Sequence, residues 1–295
     1  MGKRMTGRVQ VLCEGLGHPE GPDVLPDGRV VFANTYKSEV GVWDPKGGTE
    51  RYAYTGGGPN ACVLGVDGYL YITQCPAVGK WVAPERRPPS IQRIAPDGRV
   101  EVVATDAGGM KFNAPNDLTF GPDGRLYFTD SGDWDPVAKP DPGYICVLDR
   151  DGTARVLEEL GPVYPNGIVA EPDGSIVWVE SYTRRVIRRR SAGSKEILHT
   201  LADGHIPDGL KIDAHGDFWI TTVNSGGLDV VRKDGSYLDF VETGGAPLNC
   251  AFGGSSLYVC DFGTTDTGEA TPMIGRLLKV DVGVSGMTQF RGRIS

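Results

Sequence analysis

Glu20, Asn60, Asn116, Asn166 and Asp208 all carry side-chain oxygens, and all fall at one position of a short unit that recurs six times. The copies open Pro19-Glu20-Gly21, Pro59-Asn60-Ala61, Pro115-Asn116-Asp117, Pro165-Asn166-Gly167, Pro207-Asp208-Gly209 and Pro247-Leu248-Asn249. Equivalent positions in a closed ring of repeats meet at its axis. Two carboxylates and up to three amides would then converge on one point, which is the donor set of a cation site. Hard oxygen donors favour Ca²⁺, Mg²⁺ or Mn²⁺ over zinc, and no histidine stands in the ring. Such an ion polarises a carbonyl and lowers the pKa of bound water, so the chemistry it suits is hydrolysis of a lactone or another activated ester. Asn and Asp before Gly are also ordinary turn residues, which covers each motif taken singly. It does not cover five polar residues in identical register.

The elements that position these residues are legible from the same repeat. Seven residues after the axial position comes Asp27-Gly28, Asp67-Gly68, Asp123-Gly124, Asp173-Gly174, His215-Gly216 or Ser255. An apolar run follows each time, such as Val30-Val31-Phe32, Leu126-Tyr127-Phe128 or Phe218-Trp219-Ile220. A second hairpin follows in most units, and no window keeps a helical period. A period of about 40 residues with four strands per unit predicts a single-domain, all-β, six-bladed β-propeller. The expected blades are 14–54, 55–105, 110–159, 161–201, 203–243 and 245–282, with 283–295 as a tail. The sixth unit lacks a strand, and the N-terminal run over 8–13 is expected to supply it and remove an open edge. Strand alternation places Pro22, Cys62, Leu118, Ile168, Leu210 and Cys250 in a dry layer beneath one polar row. The same alternation turns Asp117 away from the axis.

Bulk properties narrow the partners. A net charge of −8 argues against nucleic acid, and no apolar run is long enough for a membrane helix. Residues 1–7 show no apolar leader, which points to a cytoplasmic protein with a small-molecule partner, as monomer or homodimer. The six cysteines show no zinc spacing and are expected to be buried free thiols. No G-x-S-x-G is present for a serine nucleophile.

With these motifs the chain resembles the regucalcin/gluconolactonase family of lactonases, also called the senescence-marker-protein type. The residues that carry the resemblance are Pro19-Glu20-Gly21-Pro22, Asn116-Asp117-Leu118, Pro165-Asn166-Gly167 and Pro207-Asp208-Gly209-Leu210-Lys211-Ile212-Asp213, followed by Gly216-Asp217-Phe218-Trp219. The resemblance spans about residues 8–282 and agrees with the six-bladed reading. It implies a divalent cation held by Glu20, Asn166 and Asp208, with Asn116 touching metal or substrate and Asp208 also acting as general base. Calcium comes first, with magnesium, manganese, iron or zinc as alternatives. Animal sugar lactonases of the family carry an arginine two residues before the Asn-Asp pair; here that residue is Ala114. That departure opens the pocket to apolar substrates.

Other residues are candidates for contact with substrate or for support of the site. Asn60, Phe112, Trp81, Trp134 and Tyr182 could line a pocket, the aromatics equally serving loop packing. Asp117 and Asp130 could position a water, and His18 and His205 could shuttle a proton. A carboxylate bound to a cation has a depressed pKa, which leaves open whether Asp208 or cation-bound hydroxide is the effective base or nucleophile. The proline-rich loops 74–90 and 131–143 read as a substrate lid or a dimer contact. The alternatives to a lactonase are an ester or organophosphate hydrolase and a non-enzymatic binding propeller. A strictosidine-synthase-like condensing enzyme has no use for this ligand set.

Overall fold

The computed structural model describes residues 8–263 and 274–295. Residues 1–7, read above for a leader, and 264–273, inside the expected range of the sixth blade, lie outside the described residues. Six four-stranded antiparallel sheets make a six-bladed propeller. Blade 1 runs outward through Pro19–Val24, Val30–Asn34, Glu39–Asp44 and Gly48–Tyr54. Blades 2 to 5 repeat this order, starting from Gly58–Leu64, Pro115–Phe120, Pro165–Ala170 and Pro207–Ile212. Blade 6 is built from Pro247–Gly253, Ser256–Asp261 and Gly275–Asp281, and Arg8–Leu16 adds its outermost strand. The N-terminal strand therefore closes the ring as expected, pairing Arg8 with Asp281 and Val11 with Leu278. It extends to Leu16, past the short run read from sequence, because two register irregularities let it follow the twist.

The Asp-Gly turns form because the Asp carboxylate accepts a backbone N–H two residues on, as Asp27 does from Arg29 at 3.1 Å and Asp173 from Ser175 at 2.8 Å. The apolar faces of adjacent blades pack into interblade clusters. Trp178 and Trp219 are fully buried among them, each side chain contributing about 1.5–3 kcal/mol. Inner strands touch in ring order, and the sixth meets the first. All six cysteines are free, and five of them are buried. No helix among the described residues is long and apolar enough to cross a membrane.

Every inner strand carries a register irregularity just after its opening proline, between Glu20 and Asp23, Pro59 and Ala61, Pro115 and Leu118, Pro165 and Ile168, Pro207 and Leu210, and Pro247 and Asn249. A threonine of the second strand fills the gap in three blades. Thr73 Oγ1 accepts from Ala61 N at 2.9 Å, Thr129 from Asp117 N at 3.0 Å and Thr221 from Gly209 N at 2.7 Å. Hydroxyls also stitch each of the first five blades to the next. Thr35 donates to Pro59 O (2.7 Å), Thr73 to Asn116 O (2.5 Å), Ser131 to Pro165 O (2.5 Å), Ser181 to Pro207 O (2.7 Å) and Thr221 to Leu248 O (2.6 Å).

The C-terminal segment crosses the face opposite the axial residues. Met287 N bonds Ile212 O at 3.0 Å, Val66 N bonds Gly292 O at 2.9 Å, and Ser295 N bonds Arg150 O at 2.8 Å. Arg291 pairs with Asp23, and Ile294 is buried in the cluster between blades 2 and 3. Under this strap a cavity of about 450 Å³ is bounded by the ends of the inner strands.

Candidate metal centre

The irregularity after each proline changes what reaches the axis. A bulge opposes two residues to one, so strict alternation fails there. Glu20, Asn60 and Asn166 are buried, and Asn116 and Asp208 are partly open. Asn60 Nδ2 donates to Asn116 Oδ1 at 3.0 Å. The Asn166 amide bonds the Asp208 carboxylate and reaches Ser181 Oγ at 3.3 Å. Burial, and after it the Asp208 charge, pushes the Glu20 carboxyl well above the usual carboxylate range. Burial, and after it the Asp117 charge, does the same to Asp208. These electrostatic couplings bring Glu20, Asp208, Asn166 and Asp117 together.

Asp117 does not turn away from the axis, contrary to the alternation rule. It is buried, and its Oδ2 accepts from Asn249 Nδ2 of blade 6 at 3.4 Å, across the centre of the ring. The row one residue beyond the axial position reads Gly21, Ala61, Asp117, Gly167, Gly209 and Asn249. Its small members let inner strands meet. A Cβ on Gly167 would lie 2.5 Å from Leu210 N, and one on Gly21 would lie 2.1 Å from Ala61 Cα. Its two polar members fill the space beneath the ring. Lys211 rises to them from the row below, with Nζ 3.4 Å from Asn249 Oδ1 and 3.8 Å from Asp117 Oδ2. The layer expected to be dry is therefore crossed by a polar trio. Cys62, Leu118, Ile168, Leu210 and Cys250 join the interblade clusters instead. Asn249 and Lys211 were missed in the sequence because the rows followed were the axial one and the one two residues on, while these two lie one and three residues past the axial position.

The remaining candidates separate. Asp130 spends its oxygens on the backbone N–H groups of Asn113 (2.9 Å) and Ala114 (2.6 Å), holding the approach to Asn116. Phe112, expected at a pocket wall, is buried edge-on against Phe128 in the core between blades 2 and 3. His205 faces outward and pairs with Asp229 at 2.7 Å on the third strand of blade 5. His18 is buried with Nδ1 lacking a partner, and burial lowers its pKa to about 3, so the ring is neutral. It continues an aromatic row, 4.2 Å from Phe262 and 4.9 Å from Tyr36, which in turn stacks on Trp81 at 5.1 Å. Across the mouth, Trp134 packs on Tyr164 at 4.8 Å and Tyr182 at 5.2 Å. Tyr164 occupies in blade 4 the place that His18 occupies in blade 1, one residue before the opening proline. Burial first, and then the Asp208 charge, raises its phenol pKa well above the usual value, so the hydroxyl keeps its proton. Its φ of +53° is a strained conformation for an aromatic residue. Loops 74–90 and 131–143 meet here. Ala77, Val78, Gly132 and Trp134 bound a cavity of about 10 Å³ with Asn60, Ala114, Asn116 and Tyr164.

The residues present fit a hard cation. Asn166 Oδ1 is buried with no hydrogen-bond partner, beside the Glu20 and Asp208 carboxyls, both held above the usual carboxylate range first by burial and then by a neighbouring carboxylate. An orphaned carbonyl oxygen next to paired carboxylates is costly unless a positive charge satisfies it. Among the described residues no three His, Cys, Asp or Glu gather to hold a metal, so a cation here would need amide oxygens in its donor set.

The class defined by the fold is a six-bladed propeller with acidic and amide oxygens at one end of its axis. Within that class the chain belongs to the SMP-30/Gluconolactonase/LRE-like family, whose model matches residues 18–261. It is 25% identical over 291 residues to a gluconolactonase of Zymomonas mobilis, covering 85% of this chain and 78% of that one. It is 25% identical to a strictosidine synthase-like protein of Arabidopsis thaliana over only 147 residues, 44% of this chain and 36% of that one. In structure it superposes on regucalcin, a calcium-binding protein from Agrobacterium tumefaciens, with a TM-score of 0.81 over 100% of both chains. At 19% identity that likeness concerns the fold alone.

Proposed function

We propose that this chain is a divalent-cation-dependent hydrolase that opens a small lactone ring at the axial mouth. The observation that carries the reading is the buried, partnerless Asn166 Oδ1 set against the Glu20 and Asp208 carboxylates. A relative named gluconolactonase supports the hydrolytic half of it. Glu20, Asn166 and Asp208 would hold the ion, calcium first, with magnesium, manganese, iron or zinc as alternatives. Bound there, the cation supplies charge stabilisation at the lactone carbonyl.

The remaining chemistry belongs to the side chains. Asp208 is partly open to the mouth and takes the proton of the attacking water. The water oxygen bonds to the acyl carbon, the ring C–O bond breaks, and the proton returns to the released ring oxygen, leaving a hydroxy acid. Asn60 occupies Asn116 Oδ1, which turns the Asn116 amide hydrogens to a substrate oxygen. Tyr164, protonated at neutral pH, is a second donor at the mouth.

A second reading has its own observation. Ala114, Trp134 and Tyr164 border the small cavity beside Asn116, with no cationic side chain among its lining residues. That wall suits an apolar lactone, aryl ester or organophosphate better than a polyhydroxylated ring. Hydrolysis of sugar and hydrophobic lactones, followed by pH-stat on chelator-stripped protein with single cations restored, tests both. Turnover restored by a cation is expected, with the preferred ring reporting the pocket. Full turnover in stripped protein, or binding of a cation without turnover of any lactone or ester, overturns the proposal.

A further inference from the structure

The axial channel carries a charge that no ligand set accounts for. Beneath Glu20 and Asp208 lies a third buried carboxylate, Asp117, whose charge acts on both of them. Uncompensated, three carboxylates on one axis favour a cation of higher valence or take up protons. Lys211 supplies the compensation from within the chain. Its side chain is 12% exposed, Asp117's is 3% exposed, and the two are 3.8 Å apart. Asn249 ties the pair to the ring above, because its amide hydrogen-bonds both Asp117 and Glu20 and its Oδ1 lies 3.4 Å from Lys211 Nζ. With one ammonium set against three carboxylates, all ionised in the cation-bound state, the channel would keep two negative charges, which a divalent cation cancels.

We infer that Lys211 is a resident counter-charge that sets the valence preference of the axial site, admitting divalent cations over trivalent ones. The inference rests on the cation reading above and adds a positioning residue to it. Lys211 need not touch the ion. It acts through Asp117 and Asn249, and in this low-dielectric channel a unit charge changes ion affinity by large factors. A lysine that only filled space would leave valence preference alone.

The test is binding, independent of turnover: Ca²⁺ affinity by titration calorimetry and Tb³⁺ affinity by sensitised luminescence, on chelator-stripped protein. Lys211→Met, close in shape and uncharged, is expected to raise the ratio of Tb³⁺ to Ca²⁺ affinity about tenfold or more. Asp117→Asn removes one negative charge and is expected to lower the ratio by a similar factor. The double variant restores the channel charge and is expected to return the ratio to within about threefold of the unaltered protein. Circular dichroism verifies the fold of each, and Asp117→Asn alone decides the matter if Lys211→Met does not fold. An unchanged ratio in folded single variants, with calcium binding retained, overturns the assignment of Lys211 and leaves the cation reading standing. Failure of the unaltered protein to bind any divalent cation overturns both.

Discussion

At the scale of single residues, the axial position does two jobs that chemistry usually separates. Glu20 and Asp208 are buried enough to resist ionisation, yet a cation site needs them ionised. Asp208→Ala is expected to reduce turnover about 10²–10⁴-fold, with far-ultraviolet circular dichroism unchanged. Retained turnover in that variant removes Asp208 from the mechanism. The same burial makes stability depend on pH. A carboxyl whose folded pKa is raised stays protonated in the folded chain after the unfolded chain has lost its proton. Stability therefore falls as pH climbs from the ordinary carboxylate range through the raised value. A bound cation holds both groups ionised and removes that loss. The gain in Tm on adding calcium, measured by calorimetry, should grow from pH 5 to pH 8, while a gain independent of pH would contradict the pairing. His18, lowered to about 3, acts in the opposite sense between that pH and its usual value, with or without calcium, and cancels in the difference.

At the scale of elements, the bulge at the head of each inner strand decides how much could be read beforehand. Blades, turns and the closing strand were legible because Asp-Gly turns and apolar runs are local signals. The axial residues were legible because the repeat fixes their register. Asp117 was misplaced because alternation assumes an unbroken ladder, and two adjacent residues turn inward at a bulge. Asn249 escaped because Leu248 held the axial position of the sixth copy. His205 was drawn outward by Asp229, a partner 24 residues away that no local pattern reveals. Thr221 shows what the bulge needs, since its hydroxyl accepts from Gly209 N at 2.7 Å and donates to Leu248 O at 2.6 Å. Thr221→Val leaves both groups buried without partners and is expected to cost about 1–3 kcal/mol in urea unfolding. Because Gly209 follows Asp208, turnover should drop as well. A stable and fully active Thr221→Val would mean that the bulge holds itself.

At the scale of the whole molecule, the channel has two unlike ends. The aromatic and acidic mouth is at one end, and the strap over 283–295 covers the cavity at the other. Ending the chain before Met287 removes the bond to Ile212, the Arg291–Asp23 ion pair and the burial of Ile294. Tm should fall by about 5–10 °C, at roughly 2 °C per kcal/mol for a chain of this size. The kcat/KM should change less than about twofold. A loss of activity with Tm intact would show that the strap communicates with the mouth.

The pairing of Arg8–Leu16 with Gly275–Asp281 sets an order on the birth of the molecule. On a ribosome the first strand emerges with its partner some 265 residues away, and at 5–20 residues per second that partner arrives on the order of tens of seconds later. Five blades can fold as they appear, but the ring cannot lock until the last one is released. Throughout that interval Arg8–Leu16 has no strand to pair with. Of the strands in this ring, Arg8–Leu16 is made before its partner and paired last, so slow synthesis of the sixth blade is expected to lengthen the exposure of an open sheet edge to aggregation.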